Sequence, residues 1–428
     1  MQTQPQDSIT SNPAGGRLRI GLFTDTYLPQ VNGVAISVSL LARELREMGH
    51  AVVVIAPHFA GYCEQDPNVL RLPAVRGLQT PPFDVALPGP RATRALRQMP
   101  LDVIHAHTPL TVGLWACLLA RLSGVPFIST YHTSIADYTH YLGRYGDLQL
   151  TRRAAVGFSA LSCNISDQVV APSAKIQKLL LSQGVRPPIR VVPNGIDLAR
   201  FQTHELRGAW RRRLGLGADD LMLVSLGRLE SEKSLDFVIE AFAAVAAQRP
   251  DAWLVLAGDG SYRAALQEQA ASTTAGRRIL FPGMIDRAEV PGLLHEADLY
   301  LTASTTEVHP LSMIEAIACG LPVVGVRDEA LQGMVADGVN GWITPKETGP
   351  FSAAVLRLLS DAGARQAFGQ ASLSLSQQYS IQAQAAALSE LYAQLSAARA
   401  GARPARALSA VTRYKVLLDR GRRTRRLA

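Results

Sequence analysis

ADLYLTASTTEVHPLSMIEAIACG, residues 297–320, reads as a strand, a loop and a helix in succession. Residues 297–303 make a short, buried-type strand, and Leu311 to Cys319 a helical run opened by Pro310 and closed by Gly320. Proline suits the first helical position because the N–H it lacks would be unpaired there anyway. Glycine just past the run is the usual stop. Glu307 then falls in the loop at the helix N-terminus, and Glu315 lies about a turn and a half inside. The open helix end offers the amides of Leu311 and Ser312 and the positive end of the dipole, a place for an anion, most often phosphate.

A carboxylate beside an anion site is repelled by the anion unless it holds another part of the same ligand. Sugar and ribose hydroxyls are donors that a carboxylate accepts well. Two glutamates around one helix start therefore suggest a sugar joined to a nucleoside through a diphosphate. The plainer alternative is a helix-start acid favoured by the dipole and a solvated glutamate in mid-helix.

The 428 residues are long for one domain, and 47% are hydrophobic against 18% charged, enough for two large cores. Residues 1–16, rich in Gln, Ser, Asn and Pro, read as a disordered tail without the apolar stretch of a signal peptide. No apolar run approaches the ~18 residues of a membrane span. Four scattered cysteines without a C-x-x-C pair fit a reduced, cytoplasmic protein. The net charge of +8 favours acidic partners such as phosphate ligands, anionic lipid or nucleic acid.

Earlier in the chain, Leu18–Phe23, a loop from Thr24 to Gly33, a helix from Val34 to Met48 and a strand at Ala51–Ala56 make a βαβ unit of a parallel sheet. Ligands of such sheets bind where strand C-termini meet loops. Gly33, at the helix start, would let a backbone amide approach a phosphate. Strands follow at Val103–His107, at Pro126–Thr130 and at Asp167–Ser173, and His132 stands just past the second. The stretch from about 199 to 217 turns polar and basic and reads as a domain boundary. The pattern then restarts with strands at Leu221–Leu226, Ala252–Ala257, Ile279–Gly283 and, last, Pro322–Gly325, alternating with helices that include Leu235–Gln248 and Arg287–Glu296. Helical runs near 350–360 and at Ile381–Leu395 end it. Two doubly wound α/β domains with a cleft between them are expected.

Taken in order, several motifs carry a resemblance: Thr24–Gly33, His105-Ala106-His107, Tyr131-His132-Thr133, Pro193-Asn194-Gly195-Ile196-Asp197, Gly227-Arg228-Leu229 with Glu232-Lys233, Gly258-Asp259-Gly260, and the pair Glu307/Glu315. Over roughly residues 17–345 the chain resembles the retaining GT-B glycosyltransferases of family 4 (group 1). The resemblance implies an α/β, GT-B fold of two facing Rossmann-like doubly wound domains with an interdomain cleft. It assigns 17–198 to the acceptor domain, 199–375 to the nucleotide-sugar domain, and 376–397 to a helix packing back on the first domain.

It also implies roles. Arg228 and Lys233 grip the donor diphosphate, a task that suits a guanidinium fork and a compact ammonium on a strand-end loop. Glu315 binds the ribose hydroxyls, and Glu307 lies near the reacting carbon of the sugar as electrostatic support. The amides of Leu311 and Ser312 face sugar and phosphate, Gly33 approaches the donor, and His132 contacts the donor sugar from the other domain. The plain alternatives are a solvated basic pair and a satisfied core histidine. Such enzymes are generally metal-independent and use no cofactor beyond the nucleotide sugar; the sequence has no D-x-D. No nucleophile or general base is assigned. Many relatives carry a threonine and an aromatic or glutamine after the first glutamate, whereas this chain has Val308-His309-Pro310, so His309 could touch the sugar or cap the helix.

Within the family, Thr130–Thr133 with Tyr138 and Tyr141, and the early loop from Thr24, most resemble enzymes that glycosylate diacylglycerol. That implies a hexose, from UDP-glucose or another UDP-sugar, passed to a lipid at the inner face of the plasma membrane. Asp25, Tyr27, Tyr131 and Tyr138 would stand on the acceptor side. A soluble, polysaccharide or phosphoinositide-type acceptor, or a nucleotide-sugar epimerase of similar fold, is the alternative. A nucleotide dehydrogenase is excluded by the lack of G-x-G-x-x-G, and no aromatic-interleaved basic surface points to specific nucleic acid. Residues 398–428 form a basic tail with a short apolar face from Leu408 to Leu418, expected either to lie on anionic membrane or to be solvated.

Overall fold

The computed structural model describes residues 16–30, 32–76, 84–132, 149–203 and 208–399. Tyr138, Tyr141 and the basic run beyond Arg399 lie outside these residues, as does the expected N-terminal tail up to residue 15. Two compact units divide the chain: the first takes Met1–Val170, Gln183–Arg190 and Ala385–Ala428, and the second takes Ala171–Ser182 and Val191–Gln384.

The first unit runs β1 (Arg19–Phe23), α1 (Gly33–Glu47), β2 (Ala51–Pro57), β3 (Val69–Leu72), β4 (Ala74–Arg76), β5 (Asp84–Ala86), α2 (Pro90–Arg97), β6 (Val103–Ala106), α3 (Thr111–Ser123), β7 (Phe127–Thr130), α4 (Gln149–Asn164) and β8 (Gln168–Ala171). After α5 (Ala174–Ser182), which groups with the second unit, the chain returns as β9 (Ile189–Val191). Its seven-stranded sheet has the order β3-β2-β1-β6-β7-β8-β9, with β1 parallel to both β2 and β6. The antiparallel pair β4–β5 stands apart from that sheet.

The second unit continues with α6 (Leu198–Gln202), α7 (Ala209–Leu214), β10 (Leu221–Leu226), α8 (Leu235–Ala246), β11 (Ala252–Ala257), α9 (Arg263–Ser272), β12 (Ile279–Gly283), α10 (Val290–Glu296), β13 (Leu299–Thr302), α11 (Leu311–Ala318), β14 (Val323–Val326), β15 (Gly341–Thr344), α12 (Thr348–Ser360), α13 (Ala362–Ser376) and α14 (Ile381–Arg399). Its parallel sheet has the order β12-β11-β10-β13-β14-β15. Strand β10, LMLVSL, buries its first five residues without alternation because one hydrophobic cluster lies on each face of the sheet. Both units are thus Rossmann-like, and in both the chain reverses direction of growth beside its first strand.

Several expectations need correcting. The stretch from about 199 to 217, expected as a domain boundary, lies inside the second unit: its described residues include α6 and α7, and Phe201 and Trp210 are buried in the second core. The chain enters the second unit at Val191, and an earlier piece, Ala171–Ser182, already belongs to it. Pro310 is the N-cap residue and Leu311 the first helical one. Helix α10 begins at Val290, which leaves Arg287 in the preceding loop. Pro322–Gly325 is not the last strand, since β15 pairs beyond β14. Helix α14 is shared: Ile381 and Gln384 bond to the Gly195–Ile196 segment of the second unit, while Ser389 and Tyr392 bond to His50 and His105 of the first.

Candidate active site

In the second unit the order reverses between β10 and β13, so the loops leaving their C-termini, Gly227–Ser234 and Ala303–Pro310, open side by side. A recess of about 460 Å³ lies there, lined by Arg228, Lys233, Tyr300, Ser304, Glu307 and Ser312 among others. The Gly258-Asp259-Gly260 turn supports it from behind. The Leu229 amide donates to the Asp259 carbonyl at 2.9 Å, and the Glu230 carboxylate accepts from the Ser261 amide and hydroxyl. A Cβ on Gly258 would stand 1.8 Å from the Gly227 carbonyl, so only glycine permits that approach.

Inside the recess Lys233 Nζ lies 2.5 Å from Glu307 Oε1. Burial alone would push the Glu307 carboxyl upward; the Lys233 ammonium overcomes this and holds it below the ordinary glutamate value. Glu307 is therefore ionised at neutral pH. Its loop is braced by Ser173, whose hydroxyl donates to the Val308 carbonyl at 2.8 Å, and by Lys175, which bonds the Thr305 carbonyl and the Asp328 carboxylate. Arg228, more exposed, pairs with Glu232 at 3.0 Å. Helix α11 presents its first turn to the recess through Ser312, whose Oγ accepts from the Tyr300 hydroxyl at 3.0 Å. Leu311, the first helical residue, is half-buried.

Glu315 lies one turn deeper on α11, outside the residues lining the recess. Burial raises its pKa to about 7, against the pull of Arg287, whose guanidinium is 3.5 Å away, and of Arg200. Arg200 in turn donates to the Arg287 carbonyl and steadies that loop. His309, beside the N-cap Pro310, is buried with its ring edge-on to Tyr379, 5.6 Å between centroids.

The remaining sequence-derived positions belong to the first unit. Its recess of about 500 Å³ at the ends of β6 and β7 is lined by His107, Thr108, Leu114, Tyr131, His132 and Cys163 among others. His132 and His107 share a hydrogen bond, Nε2 to Nδ1, at 3.0 Å with their rings stacked. Behind them His105 bonds the Tyr392 hydroxyl and the Thr130 hydroxyl at 2.6 and 2.7 Å. Burial draws the His132 pKa down to about 4, so the imidazole is neutral at physiological pH. Gly33 is exposed as the first residue of α1, whose N-cap Asn32 accepts from the Ala35 amide.

Two positions expected on the acceptor side are engaged within the first unit. Both Asp25 carboxylate oxygens are turned inward, taking hydrogen bonds from Thr108, Thr111 and the Val112 amide, and so fix the start of α3. Tyr27 is buried against the Arg71 guanidinium, which also stacks on Phe59 and Tyr62. Arg287, Arg200, Tyr300 and Lys175 were not singled out from sequence, because only the fold brings them to the two glutamates.

Residues 31–200 match the model of Glycosyltransferase Family 4, and residues 207–374 that of Glycosyl transferases group 1. The chain is 34% identical to the alpha-monoglucosyldiacylglycerol synthase of Streptococcus pneumoniae over 331 residues, 76% of this chain and 74% of that protein. The chain belongs to the family 4 (group 1) glycosyltransferases. A GDP-mannose-dependent alpha-mannosyltransferase of Mycobacterium tuberculosis is 30% identical over 78% of this chain and 83% of its own length. The crystal structure of Anabaena HepE in complex with UDP superposes with a TM-score of 0.71 at 20% identity, covering 88% of this chain and all of that one, and shares the GT-B fold.

For a glycosyltransferase the arrangement divides into a charged recess around Lys233 and Glu307 and a neutral histidine pair in the other unit. Among the described residues no three His, Cys, Asp or Glu side chains converge as a metal-binding group, and no helix is long and apolar enough to cross a membrane.

Proposed function

We propose that this glycosyltransferase moves a hexosyl group from a nucleoside-diphosphate sugar to a lipid hydroxyl, such as that of diacylglycerol, at a membrane surface, with retention at the anomeric carbon. The observation that carries the donor half is the Lys233–Glu307 pair beside the open end of α11. Lys233 has three N–H donors, so it can hold Glu307 and a phosphate oxygen together. Arg228 and the amides of Leu311 and Ser312 add further positive potential for the diphosphate. Glu315 and Arg287 are assigned to the nucleoside end and Gly33 to the donor from the first unit.

In the reaction, the bond between the anomeric carbon and the diphosphate oxygen breaks while the acceptor oxygen bonds that carbon. The acceptor proton passes to a phosphate oxygen of the departing diphosphate. Positive charge builds on the sugar ring, and the ionised Glu307 stabilises it at no cost of reorganisation. Neutral His132, held by His107, is a hydrogen-bond partner for the sugar rather than a second cation. The positive groups take the place that a metal ion fills elsewhere, and we assign no metal requirement.

The lipid acceptor and the hexose are supported by the relative whose name specifies monoglucosyldiacylglycerol synthesis. The mannosyltransferase relative favours a second reading, a GDP-linked donor. The deciding experiment supplies UDP-, GDP- and ADP-sugars with diacylglycerol or total lipid extract and reads products by mass spectrometry. Glycolipid from a UDP-hexose is expected. Nucleotide release only without a glycosylated product, or interconversion of the donor sugar, would reject the transfer reading in favour of hydrolysis or epimerisation.

A further inference from the structure

Helix α3 is apolar on both sides. Its inner face, with Val112, Trp115, Ala116 and Leu119, is part of the first unit's core. Its outer face carries Leu114, Leu118 and Leu122, 45%, 50% and 45% exposed, one helical turn apart and continuing from Leu110. Among the thirteen residues of α3 the only charge is Arg121. A helix on a water-exposed surface normally puts polar residues outward, and an apolar stripe of this length marks a surface that something covers. On α4, whose Ser162 and Cys163 line the same recess as Leu114, Leu161 is 63% exposed.

The charges around it indicate what covers it. Helix α2, joined to α3 by the Trp115–Thr93 hydrogen bond, has Arg91, Arg94 and Arg97 exposed along one face. With Arg121 of α3 and Arg153 of α4, five arginines of these three helices border the stripe, and the helices' own sequences hold no acid. Asp167, near Cys117 on the side of α3 toward β7, is engaged by Arg399 and the Phe127 amide. Apolar residues flanked by exposed arginines match an anionic lipid surface, where leucines enter the acyl boundary and arginines meet headgroups. The stripe also runs into the His132 recess, since Leu114 lines both.

The geometry points to the outer face of α3, flanked by α2 and α4, as the surface that docks on an anionic bilayer and lets a lipid hydroxyl emerge beside His132. This deepens the lipid-acceptor reading by naming where the membrane is met, and it is tested without donor or acceptor. The full chain is mixed with phosphatidylglycerol–phosphatidylcholine vesicles and sedimented, alongside Leu114→Gln/Leu118→Gln/Leu122→Gln and Arg91→Glu/Arg94→Glu/Arg97→Glu. Each triple variant should lower the partition coefficient by at least about tenfold. Leu118→Trp in the otherwise native chain reports the stripe itself. Its emission should shift to the blue on vesicle binding and be quenched by brominated phosphatidylcholine, while Leu181→Trp on α5 stays unchanged.

Vesicle binding that both triple variants retain, or a Leu118→Trp emission that ignores the bilayer, overturns the inference. If the leucine variant instead converts a dimer to a monomer with vesicle binding intact, the face pairs with a second copy and the membrane reading is wrong. A failed transfer assay with normal vesicle docking would count against the proposed activity alone.

Discussion

Lys233 Nζ and Glu307 Oε1 stand 2.5 Å apart across two loops that are 74 residues apart in sequence. Both are largely withdrawn from water, and Glu307 depends on the Lys233 ammonium to keep its charge against burial.

That dependence separates two residues assigned to the same phosphates. Lys233→Ala leaves a buried carboxylate uncompensated and should destabilise the ligand-free protein by about 3 kcal/mol. Arg228→Ala removes a half-exposed ion pair and should cost under about 1 kcal/mol. Both should lower turnover by on the order of 30- to 1000-fold, because each removes a cation from the departing diphosphate. Thermal melts and initial rates together check this; equal melting of the two variants, or near-normal turnover in both, contradicts it.

The glutamates should also part company. Glu315→Gln acts at the ribose end and should chiefly weaken nucleotide binding, seen in a UDP titration. Glu307→Gln should chiefly lower kcat, since Glu307 faces charge that exists only in the transition state. If both variants change affinity alone, Glu307 is a binding residue and the electrostatic role is wrong.

How far the sequence carried can be seen in the same residues. Glu307, Glu315, Arg228 and Lys233 were legible because strand-end loops and a helix start fix their positions locally. Arg287, Arg200, Tyr300 and Lys175 were not, since they reach the site through parallel pairing and packing of distant segments. Asp25 and Tyr27 show the converse. A strand-end loop looks functional in sequence whether its carboxylate meets a ligand or turns inward to hold α3. The arginine-rich 199–217 stretch masked two short helices because their buried content is little more than Phe201 and Trp210, too few for a visible period. Strand β15, only Gly341–Thr344, was too short to stand out from its surroundings.

Glu315 makes stability depend on pH. Below about pH 4.5 its carboxyl is protonated in folded and unfolded chains alike and carries no penalty. Between 4.5 and about 7 the unfolded chain ionises while the folded one keeps its proton, because burial raises the folded pKa. Stability therefore falls as pH rises through that window and levels off above it, by roughly 3 kcal/mol from this group. Glu315→Gln should match the native protein near pH 4.5 and melt higher at pH 8. A constant difference in melting temperature across the range would contradict the assignment.

The histidine pair gives the last prediction. His132, with its pKa drawn down to about 4, carries one ring proton and no charge between pH 5.5 and 8.5, and its hydrogen bond to His107 leaves one ring nitrogen for the sugar. His132→Ala should lower kcat by about 10- to 100-fold with UDP binding unchanged, the loss of one positioned neutral hydrogen bond. His107 touches His132 and not the reacting atoms in this reading, so His107→Gln, which keeps a hydrogen-bonding amide, should retain more activity than His107→Ala. Imidazole resonances followed by NMR provide a readout that packing alone would not move. In the native chain the His132 signal should stay at its neutral position down to about pH 5. In His107→Ala, water enters the vacated space, and the His132 pKa should climb toward the ordinary value near 6.5. A native His132 that titrates near 6.5 would make it a cation at the sugar and would require a different account of how the developing positive charge is tolerated.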